Sequence, residues 1–293
     1  MTVATPARWV QARGTILSQR DYGAGHRWLD VAVPEHVPAP AAGQFMQLLL
    51  PPVSSAVLLP RPMSVAGVRA RRSGRTVGFL YAPVGTGTLA LARLGAGDTV
   101  DVLGPLGHGY PLDEPGTPVL VAGGRGVAPL LFAAATLAQA GRRPEFVFGA
   151  RSSPYLIGLA DARRQLARMR GRLHLATDDG TRGTRGTVLD VLDAFAPSLR
   201  APVVIHACGP HGMLKALALW AMRRGFRAHL AMESVMACGT GVCRGCPLPR
   251  SAEARAAFDP DVTPSLYGNR EFAMCCTDGP VFEAHDLDWE RVE

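Results

Sequence analysis

Lysine is almost missing from this chain of 293 residues: Lys215 is the only one, and arginine carries the rest of the basic charge. The formal net charge is +7, yet the arginines are scattered and form no long basic run. Aromatic residues are also scarce, at 6%. Because a nucleic-acid-binding surface needs a basic stripe or a row of stacking rings, we expect no nucleic acid partner.

Long apolar runs are missing too. The most apolar stretch, residues 118–141, contains Arg125, Gln139 and several glycines, which is typical of a buried strand, turn and helix. Residues 1–17 include Arg8 and Arg13 and lack the apolar centre of a signal peptide. We therefore expect no membrane association and a cytoplasmic, reducing location.

Cysteine does not occur before Cys208, and five of the six cysteines lie between residues 238 and 276. Six thiols placed so unevenly do not form the disulfide framework of a small secreted protein. In a reducing compartment, clustered cysteines are more often metal ligands.

The spacing of Cys238, Cys243 and Cys246, followed by a remote cysteine, is that of plant-type ferredoxins, which bind a 2Fe–2S cluster. Three of the six residues between these cysteines are glycine, which leaves backbone N–H groups free to point at sulfur. The alternative is a structural zinc site, which usually uses pairs of cysteines two residues apart. Spacing alone does not decide whether Cys275 or Cys276 is the fourth ligand.

Three regions follow one another along the chain. Residues 1–112 contain short strands separated by Gly-rich and Pro-rich turns, with runs at 28–33, 45–50, 77–82 and 99–103, and predict a small closed antiparallel β-barrel. Residues 113–230 alternate strands and helices, among them a strand at 145–150 and helices at 159–169 and 188–195, and predict a doubly wound parallel α/β sheet. Residues 231–293 are rich in loops and contain the cysteine cluster. The fold class is therefore α+β multidomain.

Two segments of the barrel region have the chemistry to bind a flavin nucleotide. An arginine held by a following proline, as in Arg61-Pro62-Met63-Ser64, can clamp a pyrophosphate, and the serine can hydrogen-bond a flavin. Gly87 and Thr88 precede a predicted helix at 89–94, whose first N–H groups would face the same phosphates.

Two segments of the α/β region suit a second nucleotide. The turn Gly123-Gly124-Arg125-Gly126 joins a strand to a helix without matching the usual dinucleotide-binding motif, so a tight structural turn is the alternative. Cys208-Gly209-Pro210 follows a later strand, where open α/β sheets bind ligands, although a lone cysteine there is ordinarily a core residue.

Taken together, these motifs resemble the ferredoxin reductase-like flavoproteins, and among them the electron-transfer subunits of NAD-dependent dihydroorotate dehydrogenases. The resemblance also rests on Gly104-Pro105-Leu106-Gly107, Thr177-Asp178-Asp179-Gly180, Glu233 and Asp278-Gly279-Pro280-Val281-Phe282. It implies an FAD-binding barrel (1–112), an NAD-binding domain (113–230) and a 2Fe–2S domain (231–293).

The resemblance also implies site residues. Those for FAD are Arg61, Pro62, Met63, Ser64, Leu80, Tyr81, Ala82, Gly87 and Thr88. Those for NAD are Gly123, Gly124, Gly126, Cys208, Gly209 and Pro210. Those for iron are Cys238, Cys243, Cys246 and Cys276, the last because one residue separates the family's fourth ligand from Asp-Gly-Pro; Cys275 is then an additional thiol.

The function implied by the resemblance is electron transfer from the FMN of a separate catalytic subunit through the 2Fe–2S cluster and FAD to NAD+, in pyrimidine (UMP) biosynthesis. The partner would be the dihydroorotate dehydrogenase catalytic subunit, in a heterotetramer with two copies of each chain. No side chain need act as a nucleophile, and we interpret His108, His206 and His211 as structural or solvent-facing. One alternative is a reductase subunit with the same cofactors that serves sulfite reductase, hydrogenase or a ferredoxin:NADP oxidoreductase. A second is a non-enzymatic module with a structural metal.

Three features depart from the family pattern or leave a choice open. Residues 251–270 look like an insertion between the third and fourth cysteines. Met63 stands where a larger or β-branched residue is frequent, with little expected consequence. No acidic residue follows the predicted strand at 145–150 to hold a ribose hydroxyl, whereas Arg151 could meet a 2′-phosphate, so local chemistry leaves NAD and NADP open.

Overall fold

The computed structural model describes residues 9–51, 57–260 and 268–292. Part of the predicted insertion, residues 261–267, and the first eight residues of the amino-terminal segment lie outside the described residues. None of the helices in the described part of the chain has the length and hydrophobicity needed to cross a membrane.

Residues 10–106 form the predicted closed antiparallel barrel, with strand order β1-β2-β5-β4-β3-β6. Successive side chains of a strand point to opposite faces, so alternate residues point into the barrel, where Ile16, Val31 and Phe79 meet. The elements are β1 (Val10–Gly23), β2 (His26–Val33), β3 (Phe45–Leu49), β4 (Arg61–Ala70), β5 (Arg75–Tyr81), α1 (Thr86–Leu91) and β6 (Thr99–Leu106).

The second region forms the predicted doubly wound sheet, with strand order β10-β9-β8-β7-β11-β12-β15 and parallel pairing from β10 to β12. The helices at residues 127–139 and 159–169 cover one face of the sheet, and those at residues 188–195 and 211–223 cover the other. The elements are β7 (Thr117–Gly123), α2 (Val127–Gln139), β8 (Glu145–Ala150), α3 (Leu159–Met169), β9 (Arg172–Thr177), β10 (Thr184–Arg185), α4 (Val188–Phe195), β11 (Val203–Cys208), α5 (His211–Arg223) and β12 (Arg227–Ala231).

The carboxyl-terminal region is joined to this sheet. Its last strand pairs antiparallel with β12, with Phe282 opposite Leu230. Leu248 and Cys276 also share a hydrophobic cluster with Ile205 of β11. The elements are β13 (Pro247–Pro249), α6 (Ala252–Ala256), β14 (Phe272–Met274) and β15 (Val281–Glu283). The predicted division at residues 112/113 and 230/231 stays a proposal, and one strand of the predicted third domain completes the sheet of the second.

The helix after Gly85 begins earlier than predicted, at Thr86 instead of residue 89. The reason is the side chain of Thr88, whose Oγ1 accepts hydrogen bonds from the backbone N–H groups of Val84 at 3.0 Å and Gly85 at 3.1 Å. A side chain that reaches back in this way belongs inside the first turn of the helix, not before it.

The barrel and the sheet meet at α2. Ala128 and Leu131 of this helix share a hydrophobic cluster with Trp28, Ala66 and Leu80 of the barrel. This contact fixes the outer wall of the barrel against the carboxyl edge of the sheet, and the two clefts described next open along it.

Candidate functional site

A cleft of about 270 Å³, here called the flavin cleft, lies where β4, the end of β5 and α1 face the sheet. Its barrel wall contains residues that the sequence predicted for FAD: Pro62, Met63, Ser64, Leu80, Tyr81, Ala82 and Thr88. The opposite wall is formed by Arg125, Ala128, Pro129, Cys208, Met232, Glu233, Ser234, Met236 and Pro280. The structure therefore brings seven of the nine predicted flavin residues to one cleft.

The other two predicted flavin residues, Arg61 and Gly87, lie beside this cleft. The guanidinium of Arg61 donates hydrogen bonds to the carbonyl oxygens of Pro60 and Leu59, each at 3.0 Å. A β-carbon added at Gly87 would lie 2.8 Å from Arg61 Cδ. The missing side chain at Gly87 therefore makes room for Arg61 against α1.

Tyr81 is fixed to α1 through Gln19. The Tyr81 hydroxyl donates a hydrogen bond to Gln19 Oε1 at 2.5 Å, and Gln19 Nε2 donates to the carbonyl oxygens of Leu91 and Leu94 at 2.8 and 2.7 Å. Burial raises the pKa of Tyr81 to about 12, so the hydroxyl remains a neutral donor at physiological pH. The tyrosine ring is thereby held in the wall of the flavin cleft.

A larger cleft of about 820 Å³, here called the nucleotide cleft, opens at the carboxyl ends of β7, β8 and β9. This is the edge at which open α/β sheets bind ligands. Its lining includes Gly123, Gly124, Arg125, Gly149, Ala150, Arg151, Tyr155, Asp178, Thr187, Pro210 and Met213. Ala82, Val84 and Arg125 line both clefts, so the two are continuous.

Gly126 and Gly209, both predicted for NAD, serve close packing. A β-carbon at Gly126 would lie 2.1 Å from the carbonyl oxygen of Cys208, and one at Gly209 would lie 2.4 Å from Met213 Cε. Gly124 differs, because its φ is +50° and nothing lies within 4 Å of its β-carbon position. The turn thus combines a tight approach to β11 with an open position at the cleft.

Cys208 is the last residue of β11 and lines the flavin cleft. Its side chain is buried. Burial, reinforced by the Glu233 carboxylate, raises the pKa of the Cys208 thiol well above its usual value. Cys208 therefore stays a neutral thiol and contributes shape and polarity, not a nucleophile.

The four cysteines predicted for iron form two pairs. The Sγ atoms of Cys238 and Cys243 are 3.3 Å apart, and those of Cys246 and Cys276 are also 3.3 Å apart. Two sulfurs on one tetrahedral metal would lie about 3.8 Å apart, given metal–sulfur bonds of about 2.3 Å. Among the described residues, no group of three or more His, Cys, Asp or Glu side chains converges as on a single ion. The four sulfurs therefore form two close pairs, Cys238 with Cys243 and Cys246 with Cys276.

Backbone amides point at sulfurs in residues 238–246, here called the cysteine loop. The N–H groups of Thr240 and Cys243 donate to Cys238 Sγ at 3.4 and 3.5 Å, and that of Cys276 donates to Cys246 Sγ at 3.4 Å. Burial raises the pKa of Cys238, but these hydrogen bonds outweigh it and lower the pKa to about 6. The side chain of Cys276 and, less strongly, its backbone N–H lower the pKa of Cys246, to about 7. The surroundings of Cys238 and Cys246 therefore favour the thiolate, the form that ligates metals.

The cysteine loop adjoins the flavin cleft on two sides. Met236, two residues before Cys238, and Pro280, four residues after Cys276, both line that cleft. Two short segments therefore link the wall of the flavin cleft to the cysteines: residues 236–238 lead to Cys238, and residues 276–280 lead back to Cys276.

Known proteins resemble this chain over most of its length. The electron transfer subunit of dihydroorotate dehydrogenase B (NAD(+)) from Listeria welshimeri is 36% identical over 248 residues, which cover 84% of this chain and 86% of the relative. The subunit of the same name from Bacillus caldolyticus is 35% identical over 250 residues, with the same coverage of each chain. The chain belongs to this family. Residues 120–218 also match the family model for an oxidoreductase NAD-binding domain.

Solved structures show the same architecture. The structure of an NADH-dependent reduced ferredoxin-NADP oxidoreductase, reported for flavin-based electron bifurcation, superposes with a TM-score of 0.77 at 26% identity, covering 95% of this chain and 91% of its own. The Amycolatopsis cytochrome P450 reductase GcoB superposes with a TM-score of 0.61 at 27% identity, covering 74% of this chain and 66% of its own. The predicted ferredoxin-reductase-like combination of barrel and α/β sheet is confirmed.

Sequence reasoning missed residues that only the folded chain brings together. Val84 and Arg125 line both clefts, although neither was predicted as a site residue. Asp178 reaches the nucleotide cleft from the end of β9, beside Arg151, whose carbonyl oxygen accepts a hydrogen bond from Asp179 N–H at 3.3 Å. Arg125 lies in the turn Gly123-Gly124-Arg125-Gly126, and its positive charge beside the predicted pyrophosphate site was the sequence signal that could have identified it.

Proposed function

We propose that this chain is the electron-transfer subunit of an NAD-dependent dihydroorotate dehydrogenase and links the FMN of a separate catalytic subunit to NAD+. In this proposal the chain holds FAD in the flavin cleft, NAD(H) in the nucleotide cleft and a 2Fe–2S cluster on Cys238, Cys243, Cys246 and Cys276. Family membership supports the role, and the arrangement of the three sites supports the assignment of residues.

One observation carries the proposal: the flavin cleft lies between the other two sites. Cys208 and Arg125 enter it from the nucleotide side, whereas Met236 and Pro280 enter it from the cysteine loop. When bound, the cluster supplies single-electron exchange, and FAD supplies both one-electron exchange and hydride transfer. The flavin cleft therefore lies where single-electron exchange with the cluster and hydride transfer to the nicotinamide would have to meet.

The barrel residues hold and orient the flavin. Ser64 offers a hydroxyl at the cleft surface, and Tyr81 offers a ring that Gln19 fixes in place. Arg61, packed against Gly87, supplies positive charge next to α1, where a pyrophosphate would lie. Hydrogen bonds hold the side chains of Tyr81 and Arg61 in place, so these two need little further ordering on binding.

The sheet residues hold the nicotinamide nucleotide. The positive φ of Gly124 leaves the turn after β7 open to a pyrophosphate, and the charge of Arg125 lies at the junction of the clefts. Asp178 supplies the carboxylate that a ribose hydroxyl would need, which supports NAD over NADP. Arg151, the residue that could meet the 2′-phosphate of NADP, lies over the ring of Tyr155, with Cζ 4.5 Å from the ring centroid.

The cysteine loop fits a 2Fe–2S cluster better than a zinc ion. A zinc ion would bring four thiolates around one centre, whereas the loop holds Cys238 with Cys243 and Cys246 with Cys276. The amides that point at Cys238 and Cys246 sulfur would stabilise the extra negative charge of a reduced cluster.

The deciding experiment is co-expression of the chain with candidate FMN subunits, followed by anaerobic assay of dihydroorotate-dependent NAD+ reduction. We expect activity only with both chains present, and a protein with a flavin spectrum and about two irons per chain. A colourless protein without flavin or iron would contradict every redox interpretation. The proposed two-plus-two stoichiometry is checked on the same complex by its mass in solution.

A second candidate is a reductase subunit that serves a different electron-transfer partner. It is favoured by the superposition of 95% of this chain on a ferredoxin-NADP oxidoreductase. Under that alternative, flavin and iron would be present, but the FMN subunit would not support NAD+ reduction. Parallel assays with ferredoxin and NADP+ distinguish the two.

A further inference from the structure

Gln47 of β3 is a buried amide without a hydrogen-bond partner. Its side chain has no exposed surface. Neither Nε2 nor Oε1 has a partner among the described residues. Burying an unpaired amide costs about 1–3 kcal/mol, and an apolar side chain of the same size would avoid that cost.

The amide of Gln47 faces the cysteine loop. Along β3, Met46 and Leu48 point into the barrel interior, so Gln47 and Phe45 point outward. Phe45 on this outer face packs in the same hydrophobic cluster as Cys246 and Cys276.

Gly239, the residue after Cys238, lies directly against this amide. A β-carbon at Gly239 would lie 2.6 Å from Gln47 Nε2 and 2.9 Å from Cγ. The φ of Gly239 is +75°, so the loop turns at the contact. In the sheet, Gln47 lies between Pro62 of β4, which lines the flavin cleft, and Leu103 of β6. Gln47 thus occupies the barrel wall next to a strand of the flavin cleft, with its amide against Gly239.

We propose that Gln47 is a positioning residue for the iron–sulfur cluster: its carboxamide donates an N–H hydrogen bond to sulfur in the Cys238–Cys246 loop when the cluster is bound. This inference rests on the proposed cluster. An N–H donor stabilises sulfur more strongly when one electron has been added to the cluster, because the added charge is negative. Gln47 therefore raises the reduction potential of the cluster.

The test is a redox titration of the holo subunit, followed by EPR for the cluster and by absorbance for the flavin. Gln47→Met removes both amide atoms at similar size, and Gln47→Glu replaces the donor with a negative charge. We expect both to shift the one-electron equilibrium at least tenfold toward the oxidised cluster, which is about 59 mV lower in potential. The flavin potential should not move. Gln165→Met is the matched control, because the buried amide oxygen of Gln165 on α3 also lacks a partner within the described part of the chain.

Unchanged cluster potentials in both Gln47 variants, or a shift equal to that of Gln165→Met, would overturn the inference. A measurement on the unmodified sequence does not depend on how the variants fold. With glutamine side chains labelled with ¹⁵N, pulsed EPR of the reduced cluster should detect a ¹⁵N coupling from Gln47, and its absence would overturn the hydrogen bond. A holo preparation with no 2Fe–2S signal at all would instead overturn the proposed function.

Discussion

Cys276 Sγ lies 3.3 Å from Cys246 Sγ, although the preceding residue, Cys275, points away from the loop into the core. Cys275 Sγ lies 3.7 Å from the carbonyl oxygen of Met232, and burial raises the pKa of its thiol. Both residues lie in the turn after β14, which the N–H groups of Thr277 and Asp278 close by donating to the carbonyl oxygen of Met274 at 3.1 and 2.8 Å. In this turn the Cys276 side chain is directed to Cys246 and that of Cys275 to Met232.

This arrangement predicts unequal effects of two neighbouring substitutions. Cys276→Ser should abolish stable cluster binding, because one of four thiolates is lost. Cys275→Ala should retain about two irons per chain and lose about 1–2 kcal/mol of unfolding free energy from a small cavity. Iron content and EPR of anaerobically purified protein check both. Equal loss of iron in the two variants would contradict the assignment.

Gly126→Ala should destabilise the protein and weaken nucleotide binding. The added methyl group would lie 2.1 Å from the Cys208 carbonyl oxygen and 2.3 Å from its carbon, which are backbone atoms that cannot turn away. We expect a loss of about 1–3 kcal/mol in the free energy of unfolding. The control is Gly67→Ala, where nothing lies within 4 Å of the β-carbon position. Denaturant unfolding and NADH titration measure the two effects.

Arg125→Ala should weaken NADH binding. Arg125 lines both clefts and is exposed, so its charge is available to a pyrophosphate. Loss of a hydrogen bond between charged groups should raise the NADH dissociation constant about 10- to 100-fold. Arg143→Ala removes the same charge at an exposed position on the turn after α2 and should leave the constant unchanged. Similar weakening in both variants would point to long-range attraction instead.

His206 should make stability fall at mildly acidic pH. Burial, with the positive charges of His229 and Arg142, lowers the pKa of His206 to about 3. The unfolded chain binds a proton at this histidine below about pH 6.5, while the folded chain does not. The unfolded state is therefore favoured as the pH falls, by up to about 1.4 kcal/mol per pH unit.

His206→Phe removes this dependence. The ring stacks on His229 with centroids 5.5 Å apart, and its Nδ1 has no hydrogen-bond partner among the described residues, so a phenyl ring should fit without losing a bond. Denaturant unfolding between about pH 5 and pH 7.5 should show a flatter profile for the variant. The exposed His36, changed to Asn, is the control. A variant as acid-sensitive as the parent would show that another group titrates.

Long periodic elements followed directly from the sequence. The bounds of β8, α3 and α4 agree with the predicted 145–150, 159–169 and 188–195. Apolar residues recur at helical spacing in α3 and α4, and β8 is a short apolar run of strand length. The three residues of β15 have no such period, so their pairing with β12 depends on contacts that only the folded chain makes.

Part of the site was also predictable, from short local patterns in the sequence. Glycine and cysteine patterns mark local backbone chemistry, and they led to the turn after β7 and to the loop at Cys238. Gln47 gives no such signal, because it stands in the apolar run 45–50, and its outward direction depends on strand alternation within a closed barrel. Val84 and Arg125 matter because two clefts meet at them, which is a property of tertiary structure.

The pairing of β15 with β12 limits how this chain can be cut and recombined. A truncation after residue 231 would remove the cysteines and would also uncover the backbone of β12, where His229, Leu230 and Ala231 now meet Glu283, Phe282 and Val281. Such an open strand edge promotes aggregation. A chimera intended as a flavin reductase without iron should therefore keep 281–292 and replace only the cysteine loop.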